Sequence, residues 1–179
     1  MQLSAPAKIN LSFQVKGRRA DGFHEIETLM APVARADRLT IELSGEDGLN
    51  FSCDEPSLSG GEDNLVVRAA RLFQKTTNVA GGLKIALEKK IPHGAGLGGG
   101  SSDAATTLLG LNELFETRLG QDDLVKLAAE IGSDVPFFVV RSGAICRPCG
   151  YPVHIDKGLE QLIREDYLQR VPVLLSLGH

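Results

Sequence analysis

The chain has 179 residues, 42% of them hydrophobic and 23% charged, with a formal net charge of −4. That length suits one ordinary domain with a real core, and the acidic balance argues against a nucleic-acid partner. No apolar run approaches the ~20 residues that span a bilayer, the start lacks the regions of a signal peptide, and three cysteines without framework spacing fit a reducing compartment, so a cytoplasmic protein with no membrane partner is expected.

The first third reads as β. Residues 3–15 alternate loosely, with Ile9, Leu11, Phe13 and Val15 on one face and Lys8, Asn10, Ser12 and Gln14 on the other. A Gly/Asp-containing turn over 17–22 precedes two further strand-like segments, 24–30 and 38–44. A polar, glycine-rich stretch follows, with at most a short strand near 49–52. Asp63 or Asn64 then opens a helix carrying Leu65, Ala69, Leu72 and Phe73 at helical spacing. Leu83, Ile85, Leu87, Lys89 and Ile91 mark the next strand. After a glycine-rich loop over 92–102, Ser102 or Asp103 caps a second helix through Phe115. A third helix spans Gln121 to Ile131 and stops at Gly132, expected to be a left-handed terminator. Residues 133–136 lead into the apolar run Phe137–Val140, read as a strand. Strands first and helices later give an α+β class rather than a regular βαβ alternation.

The loop carries the most information. It runs Pro92, His93, Gly94, Ala95, Gly96, Leu97, Gly98, Gly99, Gly100, Ser101, Ser102 and continues into Asp103, Ala104 and Ala105. Five glycines within seven residues let backbone amides converge on one centre without β-carbons in the way, which makes an anion nest. The helix behind it adds free N–H groups and a positive dipole end. Ser101 and Ser102 offer hydroxyls to phosphate oxygen or magnesium, so a polyphosphate site follows. The segment satisfies G-x-G-x-x-G, but no acidic residue ends a second parallel strand about 20 residues on. A Walker A loop would need Gly-Lys-Ser/Thr, and Lys89 and Lys90 lie on the preceding strand instead. A plain turn would need only one or two glycines.

This loop resembles the ATP loop of the GHMP kinases. Three more segments strengthen the resemblance: APAKINL at 5–11, RADGFHEIETL at 19–29 and GSDVPFF at 132–138. They are similar to members that phosphorylate a hydroxyl of a cytidine-diphosphate sugar alcohol in non-mevalonate isoprenoid synthesis. The resemblance implies a GHMP kinase N-terminal domain of the ribosomal protein S5 domain 2-like fold over 1–146, with ATP and Mg²⁺ as cofactors and that sugar alcohol as small-molecule substrate. It also implies Asp134 as the base and Lys8 as its cationic partner. An ammonium beside a carboxylate and a substrate hydroxyl stabilises a developing alkoxide, and Asn10, two residues from Lys8, can hold either group. Taken singly, Asp134 reads as a turn former and Lys8 as a solvated strand residue. Phe23 and His24 match the segment that contacts cytosine, although the family more often has Tyr at position 23. Asn64 and Leu65 match the adenine pocket, while Asn64 also suits an N-cap. His93 receives no role. No residue is assigned as a metal ligand.

From about Arg147 the resemblance ends. The chain then has Cys149, spaced C-x-x-C with Cys146 and read as reduced thiols, and an amphipathic helix is expected over 157–169. A tail over 147–179 thus stands where the family has a second, C-terminal domain, which is missing. It either covers the apolar face that domain would shield, or pairs with another copy to make a homodimer, or stems from a gene truncation or frame change. The expectation is a nucleotide-binding module with weak or absent kinase turnover unless a partner completes it. The alternative is a degenerate, non-catalytic nucleotide-binding or dimerisation module of the same fold.

Overall fold

The computed structural model describes residues 1–18, 24–140, 144–146 and 152–154. Its elements in chain order are β1 (Gln2–Arg18), β2 (His24–Ser44), β3 (Leu49–Cys53), α1 (Leu65–Thr77), β4 (Gly82–Glu88), α2 (Gly99–Leu114), α3 (Gln121–Ile131), α4 (Val135–Val140), β5 (Ala144–Cys146) and β6 (Pro152–His154). The sheet runs β3-β4-β2-β5-β6, with β1 also paired to β2. All pairings are antiparallel except β3 with β4, which is parallel.

Alternation fixes which face is covered. Leu39 and Ile41 of β2 and Leu83, Ile85 and Leu87 of β4 are buried, while Glu42, Lys84 and Glu88 are exposed between them. Against the apolar face lies α2, in contact with β1 and β2 and flanked by the other helices. The helix can sit low because Gly110 carries no side chain: a Cβ there would fall 2.4 Å from Leu3 Cδ1 and 2.9 Å from Ile41 Cδ1. A smaller cluster of Ala7, Val33 and Ile91, with Ile9 and Leu97 against it, lies beneath the glycine loop.

Several expectations need correction. The segments 24–30 and 38–44 belong to one continuous strand, β2. The strand absorbs the residues between them, Pro32 included, as an irregularity: Pro6 pairs with Ala36 and Ala7 with Val33, leaving Ala34 and Arg35 outside the register. β4 stops at Glu88, so Lys89 to Ile91 form a lead-in segment rather than strand. Neither Ser102 nor Asp103 caps α2. The helix starts at Gly99 behind Gly98, whose φ is 70°, and both candidates are buried within its first turns. Gly132 ends α3 but with φ 179°, extended rather than left-handed, its N–H donating to Ala128 O. Finally, 137–140 is helical, not a strand. Pro136 suits a first helical turn, and Phe137 and Phe138 meet edge to face with centroids 5.0 Å apart in the core, so packing outweighs the β-branched preference. The helix expected over 157–169, Cys149 and almost all of the tail lie outside the described residues, as does any pairing of copies through that tail.

Candidate active site

Three features converge where the glycine loop meets β1 and the α3–α4 turn. In the loop, Gly94, Gly96 and Gly98 have φ of 73°, 73° and 70°, whereas Ala95 and Leu97 stay out of the positive region. This alternation turns successive amides toward one side, as in an anion nest. Gly98 is needed for space as well as for φ: a Cβ would lie 2.9 Å from Phe138 and 3.0 Å from Lys8 Cγ. Lys8 N donates to Leu97 O at 2.9 Å, which ties the loop to β1.

Lys8 is 6% exposed, so it is no solvated strand residue. Its ammonium donates to Asn10 Oδ1 at 2.6 Å and sits 3.6 Å from Asp134 Oδ2. Asp134 is set by a turn closed by Val135 N–H on Gly132 O, and its side chain is 37% exposed. The carboxylate is therefore fixed on one side by a buried cation and open to a ligand on the other. Of the residues expected to contact cytosine, Phe23 lies outside the described residues and His24 enters as the first backbone position of β2, opposite Arg18.

Beside the loop lies a cavity of about 310 Å³, bordered by Ser59, Asn64, Leu65, His93, Gly100 and Asp103. Asn64 is a true N-cap: its Oδ1 accepts from Val66 N at 2.9 Å, and its Nδ2 donates to Ser59 O at 2.7 Å. Both side-chain groups thus shape the cavity wall. Ser102 Oγ, at the start of α2, is buried without a hydrogen-bond partner. A polar atom orphaned at a helix N-terminus beneath a glycine nest is what a phosphate oxygen or its cation would satisfy. The residues present therefore fit a magnesium nucleotide.

Sequence reading missed a second charged group. Asp37, Lys89 and Asp103 come together with Lys89 Nζ between the two carboxylates, 2.7 Å from Asp103 Oδ2. Burial works against the Lys89 charge, yet Asp103 and Asp37 together raise its pKa. Burial pushes the Asp103 carboxyl up to about 7 even though Lys89 pulls it down. The available signal was an aspartate between two apolar strand segments, and it becomes informative only once 24–44 is one strand.

Residues 64–142 match the GHMP kinases N terminal domain. The chain is 47% identical over 145 residues to 4-diphosphocytidyl-2-C-methyl-D-erythritol kinase of Synechococcus sp. (strain CC9605), covering 80% of this chain and 47% of that one. It is 43% identical over 150 residues to the kinase of the same name from Citrifermentans bemidjiense, covering 84% and 54%. A crystal structure of 4-(cytidine 5'-diphospho)-2C-methyl-D-erythritol kinase superposes with a TM-score of 0.74 at 45% identity, covering 87% of this chain and 56% of that one. A mevalonate kinase structure at 15% identity and TM-score 0.73 shares the fold. The chain spans about half the length of the curated relatives it matches.

Proposed function

The chain belongs to the GHMP kinases through its N-terminal domain, and on that premise we propose that it transfers a phosphoryl group from ATP to a hydroxyl of 4-diphosphocytidyl-2-C-methyl-D-erythritol, in non-mevalonate isoprenoid synthesis. The observation that carries this reading is the Lys8–Asp134 pair, 3.6 Å apart beside the glycine loop. ATP supplies the phosphoryl group when bound, and Mg²⁺ neutralises charge on it. The loop amides of 94–100 and the start of α2 bind phosphate, with Ser101 and Ser102 offering hydroxyls. Asn64 and Leu65 border the nucleoside. Asp134 takes the proton of the acceptor hydroxyl. Lys8, steered by Asn10, stabilises the oxygen as its charge develops. Phe23 and His24 are assigned to the cytidine end on the resemblance alone. Residues 1–146 constitute the ATP-binding unit.

Asp134→Asn tests the assignment. A coupled assay with ATP, Mg²⁺ and the cytidine substrate is expected to show loss of at least about 100-fold in turnover, while binding of a non-hydrolysable ATP analogue persists. Turnover unchanged in the variant overturns it. The names of the relatives support the kinase over a nucleotide-binding module without turnover, and a wild-type chain that binds the analogue and phosphorylates nothing would reverse that order.

A further inference from the structure

Between the end of β4 and the glycine loop, residues 89–91 have left the sheet, and their amides have no ladder partner. All three are taken by carboxylates. Lys89 N donates to Asp54 Oδ1 at 2.8 Å, and Lys90 N and Ile91 N both donate to Asp37 Oδ1, the latter at 2.7 Å. On the other side, Lys90 O accepts from Arg35 Nε at 2.6 Å. Asp37 Oδ2 meets the Lys89 ammonium, which also pairs with Asp103 in the first turns of α2. A Cβ added at Gly99 would lie 3.2 Å from that ammonium, so it rests against the very start of the helix.

Asp37 is 1% exposed. Burying a carboxylate is unfavourable unless every oxygen is paired, and here both are. Its three partners all belong to the segment that leads into the loop, and none serves the nearby β-ladder. We infer that Asp37 is a positioning residue for the nucleotide site: from β2 it holds the 89–91 segment against the first turn of α2, and so sets where the glycine loop begins. The inference rests on the reading of that loop as the phosphate site. Asp37 touches no ligand; it acts through the amides of Lys90 and Ile91 and the Lys89 ammonium. A merely structural carboxylate would support the sheet as a whole, whereas this one supports the loop.

The test compares wild type, Asp37→Ala, Asp37→Asn and a core control, Ile41→Val, by amide hydrogen exchange and by titration with a non-hydrolysable ATP analogue plus Mg²⁺. Asp37→Ala is expected to raise exchange at 90–98 without nucleotide and to weaken analogue binding about tenfold. Asp37→Asn keeps an oxygen for the two amides but turns its NH₂ toward Lys89, so a smaller loss of about threefold is expected. Ile41→Val lowers the melting temperature and leaves the analogue affinity unchanged. Should Asp37→Ala not fold, Asp37→Asn decides: exchange raised only around 89–98 with weakened binding supports the inference, and unchanged exchange and affinity overturn it. Exchange raised evenly over the sheet also overturns it. If wild type binds no analogue, the nucleotide reading fails, and the exchange data still judge whether Asp37 holds the segment.

Discussion

Asp103 sits in the first turns of α2 with its carboxyl almost wholly enclosed, and the enclosure has a pH signature. Its pKa rises from an ordinary 3.8 to about 7, by burial first and against the pull of Lys89. The unfolded chain releases this proton near pH 4, while the folded chain keeps it until about pH 7. Between those values the folded state binds more protons, so its stability falls as pH rises, by up to about 1.4 kcal/mol per unit. Asp103→Asn removes that slope: urea midpoints of variant and wild type should diverge from pH 4 to 7, the variant gaining relative stability as pH rises. Parallel curves would contradict the assignment. Gly98 offers a second residue-scale prediction. A methyl there meets Phe138 and the Lys8 stem and strains a φ of 70°, so Gly98→Ala should lower both melting temperature and analogue affinity. The strain alone is worth about 1–2 kcal/mol. At this scale the sequence was legible where chemistry is local. The glycine loop announced itself, Lys8, Asn10 and Asp134 came through the resemblance because singly they read as a solvated strand and a turn, and Asp37 and Lys89 matter only through a contact 52 positions apart.

Among elements, α1 begins as its sequence suggests, on Asn64, and ends on Asn78 at φ 53°. Asn64→Ala removes the cap bond to Val66 and the bond to Ser59 O, and should cost about 1 kcal/mol by denaturant titration. It should also loosen the 310 Å³ cavity. A variant as stable as wild type would show that neither bond contributes. α2 is different in kind. Glycines at its start and at position 110 disfavour a helix locally, and tertiary contacts override that cost: Gly110 lets the helix approach Leu3 and Ile41. Gly110→Ala, although the better helix former, is expected to destabilise by about 1–3 kcal/mol through overpacking. The same logic explains α4. Its last four residues, 137–140, read as a strand because Val and Phe dominate, and the core needs them in a helical turn that places Asp134 just ahead of it. Period and propensity located the elements; the boundaries nearest the site were set by what they pack against.

For the molecule as a whole, the topology delivers the parts of the site from distant places. β1 brings Lys8 and Asn10, the crossover from β4 to α2 brings the glycine loop, and the α3–α4 turn brings Asp134. A continuous β2, paired on both sides, is the beam that carries them. The sequence conveyed the mixed class and the glycine loop, but not that beam, since a strand interrupted by Pro32 looks like two. The central claim, that the loop around Gly98 grips a triphosphate beside Lys8 and Asp134, is tested most directly by calorimetric titration of the folded chain with a non-hydrolysable ATP analogue and Mg²⁺. The account predicts saturable one-site binding that Gly98→Ala weakens; no heat of binding, or a Gly98→Ala variant that binds as wild type does, would contradict it.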